Sequence, residues 1–226
     1  MVVTDFQNDL DEERLGRFLG LRKKRRMSPA VERRIDNLTD RVKKMVDPRV
    51  SFRLSAVKCV TAEGVRLENG AFFKSSKLAR TLKDAGIVCN FVATIGPGLE
   101  NEIDRLMAQD RYADAYVLDV MASLAVEDVV DQFHRRMARR FDRKDQTVTL
   151  RFSPGYCDWS LPEQQKLFHQ FKKSESLDVE LSDTFLMTPR KSVSGVFGVL
   201  PYPADSPLAG YNPCKHCSKT DCIARR

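Results

Sequence analysis

The chain has 226 residues, of which 42% are apolar, and this share is enough to build an ordinary buried core. Its 38 lysines and arginines exceed its 31 acidic residues, which gives a formal net charge of +7. The N-terminus lacks the basic region and apolar stretch of a secretory signal, and no uncharged run approaches membrane-spanning length. We therefore expect a cytoplasmic, globular protein without a membrane partner.

Several function classes lack their usual residues in this chain. It has only three histidines, and neither a Ser-His-Asp arrangement nor a phosphate-binding P-loop is present. Much of the positive charge lies in Arg22–Arg26 and in 135–140, runs that are typical of solvated helix ends or turns. No interleaved aromatic pattern supports nucleic-acid binding. Because the Ser-His-Asp arrangement and the P-loop are absent, hydrolase and kinase chemistry is excluded.

The first predicted elements are a helix and a strand. Apolar residues recur at helical spacing through 31–45, and Ser28 followed by Pro29 is a typical helix start. The helix ends before Pro48. Apolar and polar residues then alternate through 50–55, which predicts a strand with one solvent-exposed face.

Further elements follow between residues 87 and 200. The apolar segment 87–95, between two glycines, is short enough for a buried strand, and a helical pattern begins at Leu99. The segment at about 112–140 is apolar on nearly every side, which predicts a central, enclosed helix. Alternating residues predict a strand at 148–152, and a last strand is expected at 192–200.

The organisation is that of one α+β domain. Ser160 and Glu163 have the spacing of a capping box for one more helix. Strands and helices mix without a steady alternation, and no period repeats. We divide the chain into an N-terminal helical segment at 1–48, an α+β core at 49–201 and a cysteine-containing tail at 202–226.

A glycine-containing turn at Thr94–Glu100 leads from a strand into a helix. In dinucleotide-binding proteins such a turn presents backbone N–H groups to an anion. Here Asn101 replaces the third glycine of that motif, and Asp119, about twenty positions on, lies inside a predicted helix. The pattern therefore favours a tight structural turn.

Glu127 lies on an apolar face of the long predicted helix, three residues after Leu124. Burying an unpaired carboxylate is costly, so this position implies a cationic partner. Two interpretations stay open. One is a structural ion pair or a wet patch shared with Asp128 and Asp131, and the other is a cationic ligand such as a sulfonium or an amino group.

The segment Arg151–Asp158 follows a predicted strand. An arginine can hold a carboxylate in a forked pair, a glycine permits close backbone approach, and a tyrosine can stack on a flat ring. Arg151, Gly155 and Tyr156 therefore suit an adenine nucleoside that carries an amino acid. Taken alone, the segment is equally typical of an ordinary strand end and turn.

Three cysteines cluster near the C-terminus with C-x-x-C-x-x-x-x-C spacing. Cys214, Cys217 and Cys222 could supply three thiolates to zinc or to an iron–sulfur cluster. A fourth ligand is normally needed, and His216 or Cys157 could complete the site. Loose or redox-active thiols are the alternative.

Three successive segments resemble the activation domain of cobalamin-dependent methionine synthase. Arg151–Tyr156 has the family's R-x-x-P-G-Y pattern, Leu181–Pro189 is similar to its L-T-E-S-type segment, and Ser192–Gly195 is its S-V-S-G. Their order and spacing agree with the family. Glu127 also stands seven residues before His134, as a glutamate and a histidine do on the family's long helix.

The resemblance implies a fold, a ligand and a reaction. The fold would be α+β, with a mixed or antiparallel sheet flanked by helices. The family binds S-adenosylmethionine and presents it to cobalamin, so that an oxidised corrinoid is reduced by one electron and remethylated. By this resemblance, Glu127, Arg151, Ser153, Gly155 and Tyr156 would contact S-adenosylmethionine.

The corrinoid would arrive on another protein, because the sequence lacks the D-x-H-x-x-G signature of corrinoid-carrying domains. The expected partners of this free-standing activation domain are a methionine synthase or a related corrinoid methyltransferase, and an electron donor such as flavodoxin or ferredoxin. Two alternatives remain. One is a non-catalytic S-adenosylmethionine sensor. The other is a basic zinc or iron–sulfur module that touches nucleic acid through Arg22–Arg26.

Overall fold

The computed structural model describes residues 1–6, 12–19, 28–172 and 178–201. The helices are α1 (Glu12–Phe18), α2 (Pro29–Met45), α3 (Ser76–Thr81), α4 (Gly98–Ala108), α5 (Tyr112–Asp142) and α6 (Gln164–Phe168), with a 3-10 turn at Leu161–Glu163. The strands are β1 (Val2–Val3), β2 (Arg49–Val60), β3 (Gly64–Leu67), β4 (Phe72–Lys74), β5 (Ile87–Thr94), β6 (Gln146–Val148), β7 (Glu180–Leu181), β8 (Met187–Thr188) and β9 (Ser192–Pro201). Within these ranges, no helix combines the length and the apolar character needed to cross a membrane.

An antiparallel sheet forms the centre of the fold. Its strand order is β4-β3-β2-β5-β9-β6, and β1 pairs with the first residues of β2. β5 lies between β2 and β9 and is covered on both faces, which explains why its sequence is a continuous apolar run. The predicted α+β class, with an antiparallel sheet flanked by helices, is confirmed.

Helix α5 packs across one face of the sheet. Phe52, Phe91 and Phe197 project from three neighbouring strands toward Phe133 of α5, with ring centroids 5.3, 5.8 and 6.1 Å from it. All four rings are buried. Tilted aromatic pairs at these distances are favourable, so this cluster fixes α5 against the sheet.

The opposite face carries a second core under α3 and α6. Trp159 is almost fully buried there, with its ring 5.4 Å from that of Phe73 on β4. Leu82 and Leu167 belong to the same apolar cluster. Because Trp159 follows 153–158 directly, this core anchors the segment that the sequence marks for ligand binding.

Of the two predicted helix-capping signals, one is confirmed. Ser28 caps α2, where its Oγ accepts a hydrogen bond from the N–H of Val31 at 3.4 Å. The predicted capping box at Ser160 and Glu163 is wrong, because the Ser160 side chain makes no capping bond. Glu163 Oε2 instead accepts a hydrogen bond from the backbone N–H of Lys74 at 2.9 Å. The Glu163 carboxylate therefore satisfies a backbone donor at the end of β4.

The turn at Thr94–Glu100 is a packing element, as its sequence favours. Gly96 has a φ of +73°, and a Cβ on Gly98 would lie 2.6 Å from the carbonyl oxygen of Met45. Glu100 at the start of α4 accepts the backbone N–H of Lys191 at 2.7 Å. These contacts join α2, α4 and β9.

Candidate ligand-binding site

Two predicted site residues, Glu127 and Arg151, meet across the surface of α5. Arg151 lies between β6 and an isolated bridge from Phe152 to Val196, which ties its chain segment to the sheet. Its guanidinium NH2 lies 3.8 Å from Glu127 Oε2 and 2.7 Å from Asp131 Oδ1. Glu127 and Asp131 are four residues apart, so helix geometry puts both carboxylates on one face of α5.

The exposure of these groups differs from the expectation. The Glu127 side chain is 34% exposed instead of buried, while that of Arg151 is only 4% exposed. Asp131 is 32% exposed and is also bonded to Arg14 of α1, whose NH1 donates to Oδ2 at 3.0 Å. We call Glu127, Asp131 and Arg151 the ion-pair group. Arg151 is its buried member, and the two carboxylates lie toward solvent.

The segment Ser153–Tyr156 continues from Arg151 as a compact turn. Gly155 has a φ of +90°, a conformation that favours glycine, and its N–H donates to the carbonyl oxygen of Trp159 at 2.8 Å. The N–H of Tyr156 donates to the Ser153 carbonyl oxygen at 3.3 Å. Tyr156 is 51% exposed, so its ring offers a stacking surface to a ligand.

The S-V-S-G segment of β9 packs closely against the start of this turn. A Cβ on Gly195 would lie 2.7 Å from the carbonyl oxygen of Phe152 and 2.9 Å from Ser153 Oγ. Only a glycine allows so close an approach of the two segments. The motifs Arg151–Tyr156 and Ser192–Gly195 therefore meet in space.

Asp158 anchors the other end of the turn. Its carboxylate accepts hydrogen bonds from Ser75 Oγ at 2.6 Å, Ser76 Oγ at 2.7 Å and the backbone N–H of Lys77 at 3.1 Å. Burial raises the pKa of Asp158, but these hydrogen bonds lower it more, and the net pKa lies below the ordinary aspartate value. The start of α3 therefore holds the candidate turn through an ionised carboxylate.

We predict that Asp158→Asn lowers the free energy of unfolding by about 1 kcal/mol near neutral pH. Because folding lowers this pKa, the carboxylate stabilises the protein above the unfolded value of about 3.9, and that contribution disappears as pH falls through the folded pKa. Urea unfolding at about pH 7 and about pH 3 should show a difference between the two proteins that shrinks in acid. A difference that stays constant, or none at about pH 7, would contradict the anchoring role.

His134 lies on α5, about one turn after Asp131 of the ion-pair group. Its Nε2 is 2.9 Å from the carbonyl oxygen of Thr149, which can only accept, so the ring donates its Nε2–H there. The His134 and Phe197 rings are nearly perpendicular, with their centroids 5.0 Å apart. His134 thus joins α5 to the segment that carries Arg151.

The segment Leu181–Pro189 forms the hairpin of β7 and β8. Ser182 closes its turn, with the Leu186 N–H donating to Ser182 Oγ at 3.0 Å, and Leu186 is exposed. Just beyond it, Lys191 Nζ lies 2.7 Å from Asp119 Oδ1 of α5. The hairpin precedes β9 directly, as the motif order predicts.

The predicted metal site lies outside the described residues. Cys214, Cys217 and Cys222 belong to the C-terminal tail beyond residue 201, and the basic run Arg22–Arg26 is likewise not described. Within the described ranges, no group of three or more histidine, cysteine or acidic side chains is arranged to hold a metal ion. The zinc or iron–sulfur site stays a prediction.

Sequence reasoning named Asp131 only as part of a possible wet patch with Glu127, and it missed the contacts made by Arg14 and Asp158. The four-residue spacing of Glu127 and Asp131 was a usable signal, because it puts two carboxylates on one helix face. Nothing in the sequence indicates that Arg14 of α1 or the serines of α3 contact these acids. Such pairs, separated by more than 80 residues, arise only from the tertiary fold.

The fold and site define a class, an antiparallel α+β domain with a buried arginine that pairs with two solvent-facing carboxylates and is followed in the chain by an exposed tyrosine. The family model described as "Vitamin B12 dependent methionine synthase, activation domain" matches residues 78–204, which is more than half of the chain. The chain therefore belongs to this family.

Among solved structures, the chain is similar to one described as the MetH reactivation domain bound to AdoHcy. The TM-score is 0.58 and the sequences are 16% identical over 77% of this chain. The match spans 66% of the other chain, just under two thirds of its length. At this level of identity the similarity shows a shared fold. No match was found among curated proteins.

Proposed function

We propose that this protein binds S-adenosylmethionine and supports the reductive remethylation of a corrinoid carried by a methionine synthase or a related methyltransferase. The observation that carries the proposal is the contact of Glu127 with Arg151, whose chain continues directly into the Ser153–Tyr156 turn. Membership of the activation-domain family supports it, and so does the AdoHcy bound to a protein of similar fold.

The ligand's charges match those of the ion-pair group. S-adenosylmethionine carries a sulfonium and an amino group, which suit the exposed carboxylate of Glu127, and a carboxylate, which suits the guanidinium of Arg151. A zwitterion can therefore satisfy both residues at once. The uncharged part of the ligand would extend toward the turn.

The turn supplies contacts for the adenosine. The exposed ring of Tyr156 offers a stacking surface, and Ser153 offers a hydroxyl group. Gly155, exposed and without a side chain, lets a flat ring approach the backbone. Because Asp158 and Trp159 hold the turn, the adenosine would meet a preformed part of the site, which lowers the entropy cost of binding there.

The bound ligand supplies an electrophilic methyl group. One electron from a flavodoxin or ferredoxin would reduce the partner's Co(II) corrinoid to Co(I), whose electron pair forms the Co–C bond. The C–S bond breaks, and its electron pair stays on the sulfur, so the product is S-adenosylhomocysteine. This chain's contribution is to hold and orient the methyl donor, which raises the effective concentration of the reacting groups.

The direct test is calorimetric titration with S-adenosylmethionine and S-adenosylhomocysteine. We expect saturable binding of both at a stoichiometry of one. S-adenosylmethionine binding should remain when salt is raised, because Arg151 is buried, although the solvent-facing Glu127 contact should weaken. Absence of binding would leave the family fold without the family's ligand.

A second experiment separates remethylation from simple sensing. The protein is mixed with S-adenosylmethionine, a reductant and a Co(II) corrinoid protein, and the corrinoid absorption spectrum is followed. We expect methylcorrinoid to form only when this protein is present. Saturable binding without methylcorrinoid, across methionine synthase and related methyltransferase partners, would favour the sensor alternative.

A further inference from the structure

Arg151, the proposed contact for the ligand's carboxylate, already holds a carboxylate of the protein. Its NH2 donates to Asp131 Oδ1 at 2.7 Å, a short charge-assisted hydrogen bond, whereas Glu127 lies farther away at 3.8 Å. With 4% of the Arg151 side chain exposed, an incoming carboxylate cannot reach the guanidinium without a rearrangement of the groups that cover it. Asp131 is 32% exposed and is one of these groups.

Two carboxylates that converge on one guanidinium repel each other. The repulsion is strong where water is partly excluded, since the effective dielectric constant is low there. A ligand carboxylate at bonding distance from Arg151 would therefore destabilise the existing bond from Arg151 to Asp131. The two acids compete for the same cation.

The structure also provides for the release of Asp131. Its second oxygen, Oδ2, accepts a hydrogen bond from Arg14 NH1 of α1 at 3.0 Å, and the Arg14 side chain is 27% exposed. When Arg151 turns to the ligand, Asp131 keeps this cation. The free-energy cost of replacing Asp131 by the ligand at Arg151 is therefore lower than it would be if Arg151 were the one cation that Asp131 contacts.

We propose that Asp131 is an internal competitor for Arg151 that sets the protein's affinity for ligands bearing a carboxylate, with Arg14 as the group that receives Asp131 on exchange. This inference rests on the proposed binding of S-adenosylmethionine. It predicts opposite effects for two acids four residues apart on α5. Neutralising Glu127 weakens binding, and neutralising Asp131 strengthens it.

The test is calorimetric titration of the full chain with S-adenosylmethionine and with its decarboxylated analogue, which keeps the sulfonium and the amino group. Asp131→Asn is expected to bind S-adenosylmethionine about fivefold more tightly than the unsubstituted protein. It should bind the decarboxylated analogue no more tightly, because that ligand does not compete for Arg151. Equal or weaker binding of S-adenosylmethionine, or an equal gain for both ligands, overturns the inference.

The matched control is Asp128→Asn. Asp128 lies on the same helix but contacts Gln132 and Arg135, with Gln132 Nε2 donating to it at 2.6 Å. The same loss of one negative charge at this position should leave S-adenosylmethionine affinity within about twofold. A fivefold gain there too would show a general charge effect and overturn the assignment to Asp131.

Arg14→Gln provides an independent variant if Asp131→Asn does not fold. Loss of the group that receives Asp131 should weaken S-adenosylmethionine binding about threefold and leave the decarboxylated analogue unaffected. Unchanged binding of both ligands would overturn the inference. If neither the unsubstituted protein nor the variants bind S-adenosylmethionine, the proposed function fails, and the inference fails with it. If the unsubstituted protein binds and the shifts are absent, the inference alone fails.

Discussion

Replacing Arg151 with alanine is expected to weaken S-adenosylmethionine binding by roughly ten- to a hundredfold, the effect of losing a hydrogen-bonded charged contact. The guanidinium is the buried cation of the candidate site, and no other cation lies within 4 Å of Glu127 among the described residues. Glu127→Gln should weaken binding by a similar factor, because the amide keeps the shape but cannot pair with a sulfonium. Calorimetric titration measures both.

Two further variants separate ligand contact from general damage. Arg151→Lys keeps the charge but loses the planar fork, so it should recover only part of the lost affinity. Arg105→Ala removes an arginine that pairs with Glu102 on α4, and it should leave binding unchanged. Circular dichroism must show that each variant is folded. Normal binding by a folded Arg151→Ala variant would exclude Arg151 from the site.

Gly195→Ala is expected to lower the free energy of unfolding by about 1–3 kcal/mol, the range for overpacking a well-packed interior. The new methyl group would lie 2.7 Å from the backbone carbonyl oxygen of Phe152 and 2.8 Å from Cζ of buried Phe91. Backbone cannot move aside as a flexible side chain does, so the bridge between Phe152 and Val196 must open. Urea denaturation measures the change.

The same substitution should also weaken ligand binding, because Ser153 and the turn after it rest on Gly195. Gly86→Ala is the matched control. Nothing lies within 4 Å of the position that its Cβ would take, so this variant should be as stable as the unsubstituted protein or slightly more so. Equal stability of the Gly195 and Gly86 variants would show that β9 and the turn do not pack as closely as described.

Much of the architecture was predictable because it follows from local patterns. Helical periodicity with Ser28 and Pro29 predicted α2, and the alternation after Pro48 predicted β2. The continuous apolar run of β5 predicted a buried strand, and it lies between two partners. The predicted Ser160–Glu163 capping box is wrong because the Glu163 carboxylate accepts the backbone N–H of Lys74 instead. A local capping pattern contains no information about a donor so far away in the chain.

The sequence by itself determined the class of fold, the family and the segment Arg151–Tyr156, because these depend on residue type, spacing and periodicity along the chain. It also put Glu127 on α5, but it predicted a buried carboxylate where the structure buries the arginine instead. Only the tertiary structure decided which groups pair. Asp131 reaches both Arg151 and Arg14 because β6, α1 and α5 pack together, and no local pattern encodes contacts between residues so far apart in the chain.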